Sequence, residues 1–245
     1  MVQLKAEVMV EGDENRLIAV DSSLVAVAHE LKSPLALIRQ LSLFLDETND
    51  PAEQKMVVAQ INLASERALK LVTDLTKTAR LEDAMFELMP VNPYQVCDEV
   101  LRSLKPVQAL KNTMVRRKYR SKTKLVVANR ELLSSLLYSF CDNALHYANS
   151  SYTPELFVRG AGQKVRVGVR DHGPSLPTKV WREVRRTEGV RPQPVSNRPA
   201  SSGLGLYIAQ SFARAMNSEL GVVRHRDGVS FYVDLPVSTQ LSLLS

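Results

Sequence analysis

The chain has 245 residues, 44% of them hydrophobic and 24% charged, a composition that supports one or two packed cores and sets disorder aside. The formal charge is +6, but aromatics are only 6% and the basic residues are scattered, so the charge suits a surface facing nucleotide phosphates or an acidic protein better than nucleic acid. No run of about 18 apolar residues could cross a bilayer, the first 21 residues are too acidic for a leader, and Cys97 and Cys141 lack any C-x-x-C or histidine companion, so a soluble, cytoplasmic chain with two buried, reduced thiols is expected.

Residues 2–10, VQLKAEVMV, alternate apolar and polar side chains, which predicts a strand, the stub of an upstream input module, closed by a polar turn at 11–15. From Asp21 the period changes. Leu24, Val27, Leu31, Pro34/Leu35, Ile38, Leu41/Ser42 and Leu45 recur at alternating steps of three and four, the seam of a bundled helix, with Asp21 or Ser22 as its N-cap. Asn49-Asp50-Pro51 ends that helix, and a second seam follows at Val57, Ile61, Ala64, Ala68, Leu71, Leu75 and Thr78. The two helices read as an antiparallel hairpin. One hairpin cannot cover both seams, which predicts a homodimer built on a four-helix bundle.

After Leu88 the texture becomes mixed. Residues 93–111 read as a helix, 113–119 and 124–127 as strands, 130–148 as a helix, 155–159 and 164–170 as strands, 204–216 as a helix, and 220–224 and 230–235 as closing strands. This is an α/β sandwich. The stretch 173–203, rich in Pro, Ser and Arg, is too long for a simple connection and reads as a lid. The fold expected is α + α/β, divided as 1–20 (linker or input stub), 21–85 (helical domain), 86–238 (sandwich) and 239–245 (tail).

Numbering Leu24, Leu31 and Ile38 as heptad a positions puts His29 at f, opposite the seam and in water. An exposed imidazole offers a ring-nitrogen lone pair for attack on a phosphoryl group. The adjacent Glu30 can accept the proton of the other ring nitrogen. Ser33 lies one turn on, on the same helix face, where a hydroxyl can position a water or a phosphoryl oxygen. Pro34 removes an amide donor and should kink the helix. A zinc-protease reading of His-Glu would need a second histidine where Ser33 stands.

The sequence His29-Glu30-Leu31-Lys32-Ser33-Pro34-Leu35 resembles the H-box of two-component sensor histidine kinases, and three further stretches resemble that family's ATP-binding motifs in the family's order. The resemblance covers about residues 20–236. It implies that His29 is the phosphoacceptor and Glu30 its base, and that Ser33 holds the position tied to dephosphorylation of the response regulator, usually Thr or Asn. Asp142-Asn143-Ala144-Leu145-His146-Tyr147-Ala148 resembles the N-box. It implies Asn143 as ligand of the Mg²⁺ that bridges ATP phosphates, Tyr147 as an aromatic against the nucleotide, and His146 in place of the usual Lys. An amide oxygen is a suitable hard ligand for that ion. Ser139 stands where the family has an earlier Asn.

Asp171-His172-Gly173-Pro174-Ser175 resembles the G1 box, with Asp171 as reader of the adenine amine, Gly173 allowing close backbone approach, and Ser175 replacing the second glycine. Ser201-Ser202-Gly203-Leu204-Gly205-Leu206 resembles the G2 box, in which Gly203, Leu204, Gly205 and Leu206 bring helix-terminal amides to the triphosphate. No Rossmann or Walker A pattern is present. Within the lid, Trp181 is the nearest F-box candidate, and Arg182, Arg185, Arg186, Arg191 and Arg198 are candidate γ-phosphate clamps.

The resemblance thus implies a Bergerat-type ATP-binding sandwich like that of gyrase and MutL proteins, autophosphorylation of His29 from ATP with Mg²⁺, and phosphotransfer to an Asp on a response regulator receiver domain. A membrane would enter only through a sensor region outside this sequence. With Ser139, His146 and Ser175 departing from the family pattern, a regulator phosphatase or a non-catalytic dimeric scaffold stays open as an alternative.

Overall fold

A sequence that switches from a three-four apolar rhythm to short alternating runs should give two kinds of architecture, and the computed structural model shows both. It describes the backbone of residues 2–81, 86–119, 124–147, 152–173, 178, 181–182 and 204–239, with side chains from residue 25 onward within these ranges, that of Tyr147 excepted.

Two long helices come first, α1 (Val2–Glu47) and α2 (Pro51–Ala79). The short connection is closed by a hydrogen bond from Thr48 Oγ1 to the Glu53 carboxylate and another from Gln54 Nε2 to the Thr48 carbonyl, 2.9 Å. Burial follows the expected seam. Val27, Leu31, Pro34, Ile38, Leu41 and Leu45 are half-buried, with mostly exposed residues between them. On α2 the seam is better covered, with Val57 and Ala64 buried and Ile61, Ala68, Leu71, Leu75 and Thr78 half-buried. Leu35, offered as an alternative to Pro34 in the seam, is instead 56% exposed.

The strand expected at 2–10 is not formed, because those residues are the first turns of α1. The alternation is short enough to fit either period, and the Leu, Lys, Ala, Glu and Met residues mixed into it are strong helix formers. For the same reason Asp21 and Ser22 lie inside a continuous helix and do not cap one.

The remaining chain runs β1 (Met89–Val91), α3 (Pro93–Ser103), α4 (Lys105–Lys111), β2 (Arg116–Lys118), β3 (Val126–Ala128), α5 (Arg130–Tyr147), β4 (Glu155–Ala161), β5 (Lys164–Asp171), α6 (Leu204–Ala215), β6 (Leu220–His225) and β7 (Gly228–Pro236). Asn92 caps α3 by accepting from the Tyr94 amide at 3.0 Å, with Pro93 in the first turn. Asn129 caps α5 by accepting from the amides of Glu131 and Leu132, both at 3.0 Å; such a cap is worth about 1 kcal/mol. The single helix expected over 93–111 is broken at Leu104. Pro106 has no amide to continue the ladder, and its ring would meet the carbonyl of Arg102.

Five strands form the main sheet in the order β2-β4-β5-β7-β6, with β2 parallel to β4 and the other neighbours antiparallel. A second pair, β1 and β3, is antiparallel, and Val126 bridges it to Val237 beyond β7. Alternation along β5 and β7 sends Val165, Val167, Val169, Val229, Phe231, Val233 and Leu235 into the interior. The α5 side chains Leu133, Leu136, Leu137 and Phe140 are buried as well, and Phe140 meets Phe231 with ring centroids 5.7 Å apart. On strand faces away from that core, Arg166 makes a bidentate pair with Asp234 at 2.7 Å and lies over the Tyr232 ring. Cys97 on α3 and Cys141 on α5 are free and buried as expected, and burial pushes both thiols up from their ordinary range.

By internal contacts the chain divides into two units, 1–68 with 190–207 and 69–189 with 208–245. Among the described residues no helix is long and apolar enough to cross a membrane.

Candidate functional site

In the first unit, α1 carries the three candidate residues of the first motif. His29 and Ser33 are both exposed and one helical turn apart, while Glu30 is half-buried. The helix continues through Pro34. An imidazole in water, opposite the covered seam, can be approached by a phosphoryl donor, which a core histidine could not.

In the second unit, α5 and β5 bring two other motifs to one layer contact. Ser139, Asn143 and His146 fall on one face of α5 near its C-terminal end. Asn143 is half-buried and His146 exposed. Tyr147 is the last residue of the helix.

Asp171 ends β5 and is 4% exposed. Its Oδ1 accepts from the Gly173 amide at 3.0 Å and from the Val229 amide at 3.3 Å. Two backbone donors on one oxygen hold the carboxylate in a set orientation. Gly173 itself is half-buried just beyond the strand.

The fourth motif opens α6. Leu204 is fully buried, and Gly205 and Leu206 are half-buried in the first turn, where backbone amides have no helical partner. Gly203, Ser175 and the arginines at 185, 186, 191 and 198 lie outside the described residues, as does most of the expected lid. Trp181, half-buried, and Arg182, exposed, are helical.

Sequence reading missed the groups around Asp171. Arg170 and His172 both bind Asp227, from the turn between β6 and β7. The local signal was absent, because Asp227 is 55 residues from His172 and meets it only through the antiparallel pairing of β5 with β7. Also missed was the cluster in which Lys70 of α2 pairs with Asp74 at 3.2 Å and lies over the Tyr138 ring of α5, 4.8 Å from its centroid. Desolvation by burial pushes the Lys70 amine down, against the pull of Asp74.

Among the described residues no group of three or more His, Cys, Asp or Glu could hold a metal. Asn143 offers a half-buried side-chain amide oxygen, a ligand type that a hard divalent cation takes beside phosphate and water oxygens.

Two family models match the chain. Residues 24–84 match the His Kinase A (phospho-acceptor) domain, and residues 128–239 match the Histidine kinase-, DNA gyrase B-, and HSP90-like ATPase. Together they take in well over half of the sequence. Among curated proteins, the swarming motility regulation sensor protein RssA of Serratia marcescens is 26% identical over 220 residues, spanning 86% of this chain and 45% of RssA. The adaptive-response sensory kinase SasA of Parasynechococcus marenigrum is 26% identical over 247 residues, 96% of this chain and 63% of SasA. The chain thus spans less than two thirds of each of these relatives. Among solved structures, that of the histidine kinase ThkA in complex with response regulator protein TrrA has a TM-score of 0.62 at 20% identity, covering 92% of this chain and 64% of that one.

Proposed function

The chain belongs to the sensor histidine kinases of two-component systems, and on that premise we propose that it transfers the γ-phosphoryl group of ATP to His29 and then to an aspartate of a response regulator receiver domain. The observation that carries this reading is the exposed His29, followed by Glu30, on a helix within the phospho-acceptor match, in a chain whose sandwich carries the ATPase match over residues 128–239.

In this reading Asp171 accepts a hydrogen bond from the adenine amine. Its own oxygen is pre-oriented by the amides of Gly173 and Val229, so little ordering remains to be done when the nucleotide binds. The Gly203-Leu204-Gly205-Leu206 stretch would offer backbone amides to the triphosphate, an anion that a helix N-terminus favours. Asn143 would hold the Mg²⁺ that neutralises charge on the phosphates, while His146 replaces a permanent cation and makes phosphate attraction steeper with pH.

The His29 ring nitrogen then forms a bond to the γ-phosphorus as the bond to the β,γ-bridging oxygen breaks, and ADP departs with that oxygen. Glu30 accepts the proton from the other ring nitrogen. Little covalent work falls to the protein, so the rate depends on how well His29 and the γ-phosphate are brought together. Onward transfer regenerates His29, and Ser33 can orient a water for the reverse signal, hydrolysis on the regulator. The active assembly is a homodimer in the cytoplasm, the second hairpin covering the apolar stripes that one hairpin leaves exposed.

Incubation with γ-labelled ATP and Mg²⁺ tests the reading. Label that is lost in acid and kept in base, and passed on to a receiver domain, is the expected result; acid-stable label would point to a hydroxyl acceptor and sink the assignment.

A further inference from the structure

The turn between β6 and β7 carries a residue that no motif singled out. β5 pairs with β7 so that Asp171 lies opposite Val229 and Arg170 opposite Ser230. This register brings Asp227 alongside the end of β5. Its Oδ1 accepts from Arg170 Nη2 at 2.6 Å, and its Oδ2 lies 2.9 Å from His172 Nδ1. A single carboxylate therefore holds the residues immediately before and after Asp171.

Three more contacts are made at the same place, one of them from the start of β7. Arg170 Nη1 donates to the Asp171 backbone carbonyl, the Val229 amide donates to Asp171 Oδ1, and the Tyr152 ring stacks on the His172 ring at 5.1 Å and 20°. Gly228 has φ +137°, and a Cβ there would run into the Asp171 carbonyl and come within 2.8 Å of the His172 Cα. The turn backbone is thus pressed directly on the Asp171–His172 peptide. His225, beside this cluster, turns instead to Ser230, 2.9 Å from its Oγ, and its imidazole is pushed down by burial and by Arg170.

Asp227 is 57% exposed, and surface ion pairs of this kind add little to stability. Its geometry is what distinguishes it. The hydrogen bond from His172, with the charge of Arg170, keeps its carboxyl below the usual range.

We propose that Asp227 is a positioning residue for nucleotide recognition: by holding Arg170 and His172 it fixes the backbone on both sides of Asp171, so that this carboxylate meets the adenine amine in one orientation. The proposal rests on the reading of Asp171 as the adenine-binding residue. Because Asp227 acts through its neighbours, its removal should raise the KM for ATP and leave kcat at saturating ATP in place.

The test measures ATP affinity by calorimetry and KM with kcat by autophosphorylation, in the full chain, for wild type, Asp171→Asn, Asp227→Ala and Asp227→Asn, with thermal midpoints taken alongside. Asp171→Asn should lose binding by more than tenfold. Asp227→Ala should bind about five- to tenfold more weakly with an unchanged midpoint, and Asp227→Asn, which keeps an acceptor for Arg170, should fall between it and wild type. Wild-type affinity in both Asp227 variants, beside a weakened Asp171→Asn, would overturn the positioning role and leave the reading of Asp171 intact. Wild-type affinity in Asp171→Asn would overturn both, and a fall in kcat with KM unchanged would show that Asp227 does not act on the nucleotide.

Discussion

In the sandwich, Phe140, Phe212, Leu132, Leu136 and Met216 are at most 2% exposed, whereas Val25, Leu35 and Leu43 on α1 leave more than half of their surface in water. A sheet with helices laid against it closes a core within one chain. Two helices cover only one stripe on each other, and whatever apolar surface lies outside that stripe waits for a further partner. The difference teaches where each unit's stability comes from: internal packing for the sandwich and, in the homodimer proposed above, assembly for the helices.

Cutting into the sandwich core gives the largest expected effect. Phe140→Ala removes a buried ring packed on Phe231 and should cost about 3–5 kcal/mol in the urea transition of the sandwich. A loss below about 1 kcal/mol would mean that the core is not as tightly closed as described.

On the hairpin the same chemistry should act through association. Leu35→Ser with Leu43→Ser removes exposed surface, so the sandwich transition should not move, but the dimer should weaken by at least about tenfold, read by sedimentation across a concentration series. An unchanged association constant would show that those stripes are not what the dimer buries.

The smallest effect is expected at Lys70 and Asp74, the pair on α2 that sits against α5 side chains. Desolvation holds the Lys70 amine below its ordinary 10.5, so between that lowered value and 10.5 the unfolded chain binds more protons than the folded one. The cost of the buried ammonium is fully present below this window and is relieved as pH rises through it. Wild type should therefore gain thermal stability relative to a Lys70→Met/Asp74→Asn double variant on going from pH 8 to pH 10, by less than about 1 kcal/mol. A difference that shrank in the opposite direction would contradict the burial argument.

What could be read in advance follows the same division between local and non-local causes. The seam of α1 and α2, the exposure of His29 and the placing of Asn143 on α5 and Asp171 at the end of β5 are set by periodicity and neighbours in sequence, and they came out as expected. The first turns of α1 did not, because nine alternating residues satisfy a strand and a helix alike until helix propensity decides. The break at Leu104 was written in Pro106 but was outweighed by the apolar rhythm on either side. β1 is only Met89–Val91 and has too few residues to show a period. Asp227 was invisible for a different reason: its meaning comes from the β5–β7 register, which brings it to His172 across 55 residues of sequence.

The account stands or falls on the division of labour between an acceptor on the hairpin and a nucleotide site on the sandwich. The most direct test compares wild type, His29→Gln and Asp171→Asn for binding of ATP and for uptake of acid-labile label from γ-labelled ATP. The account predicts that His29→Gln binds ATP as wild type does and takes up no label, while Asp171→Asn loses both. Label persisting in His29→Gln would contradict it.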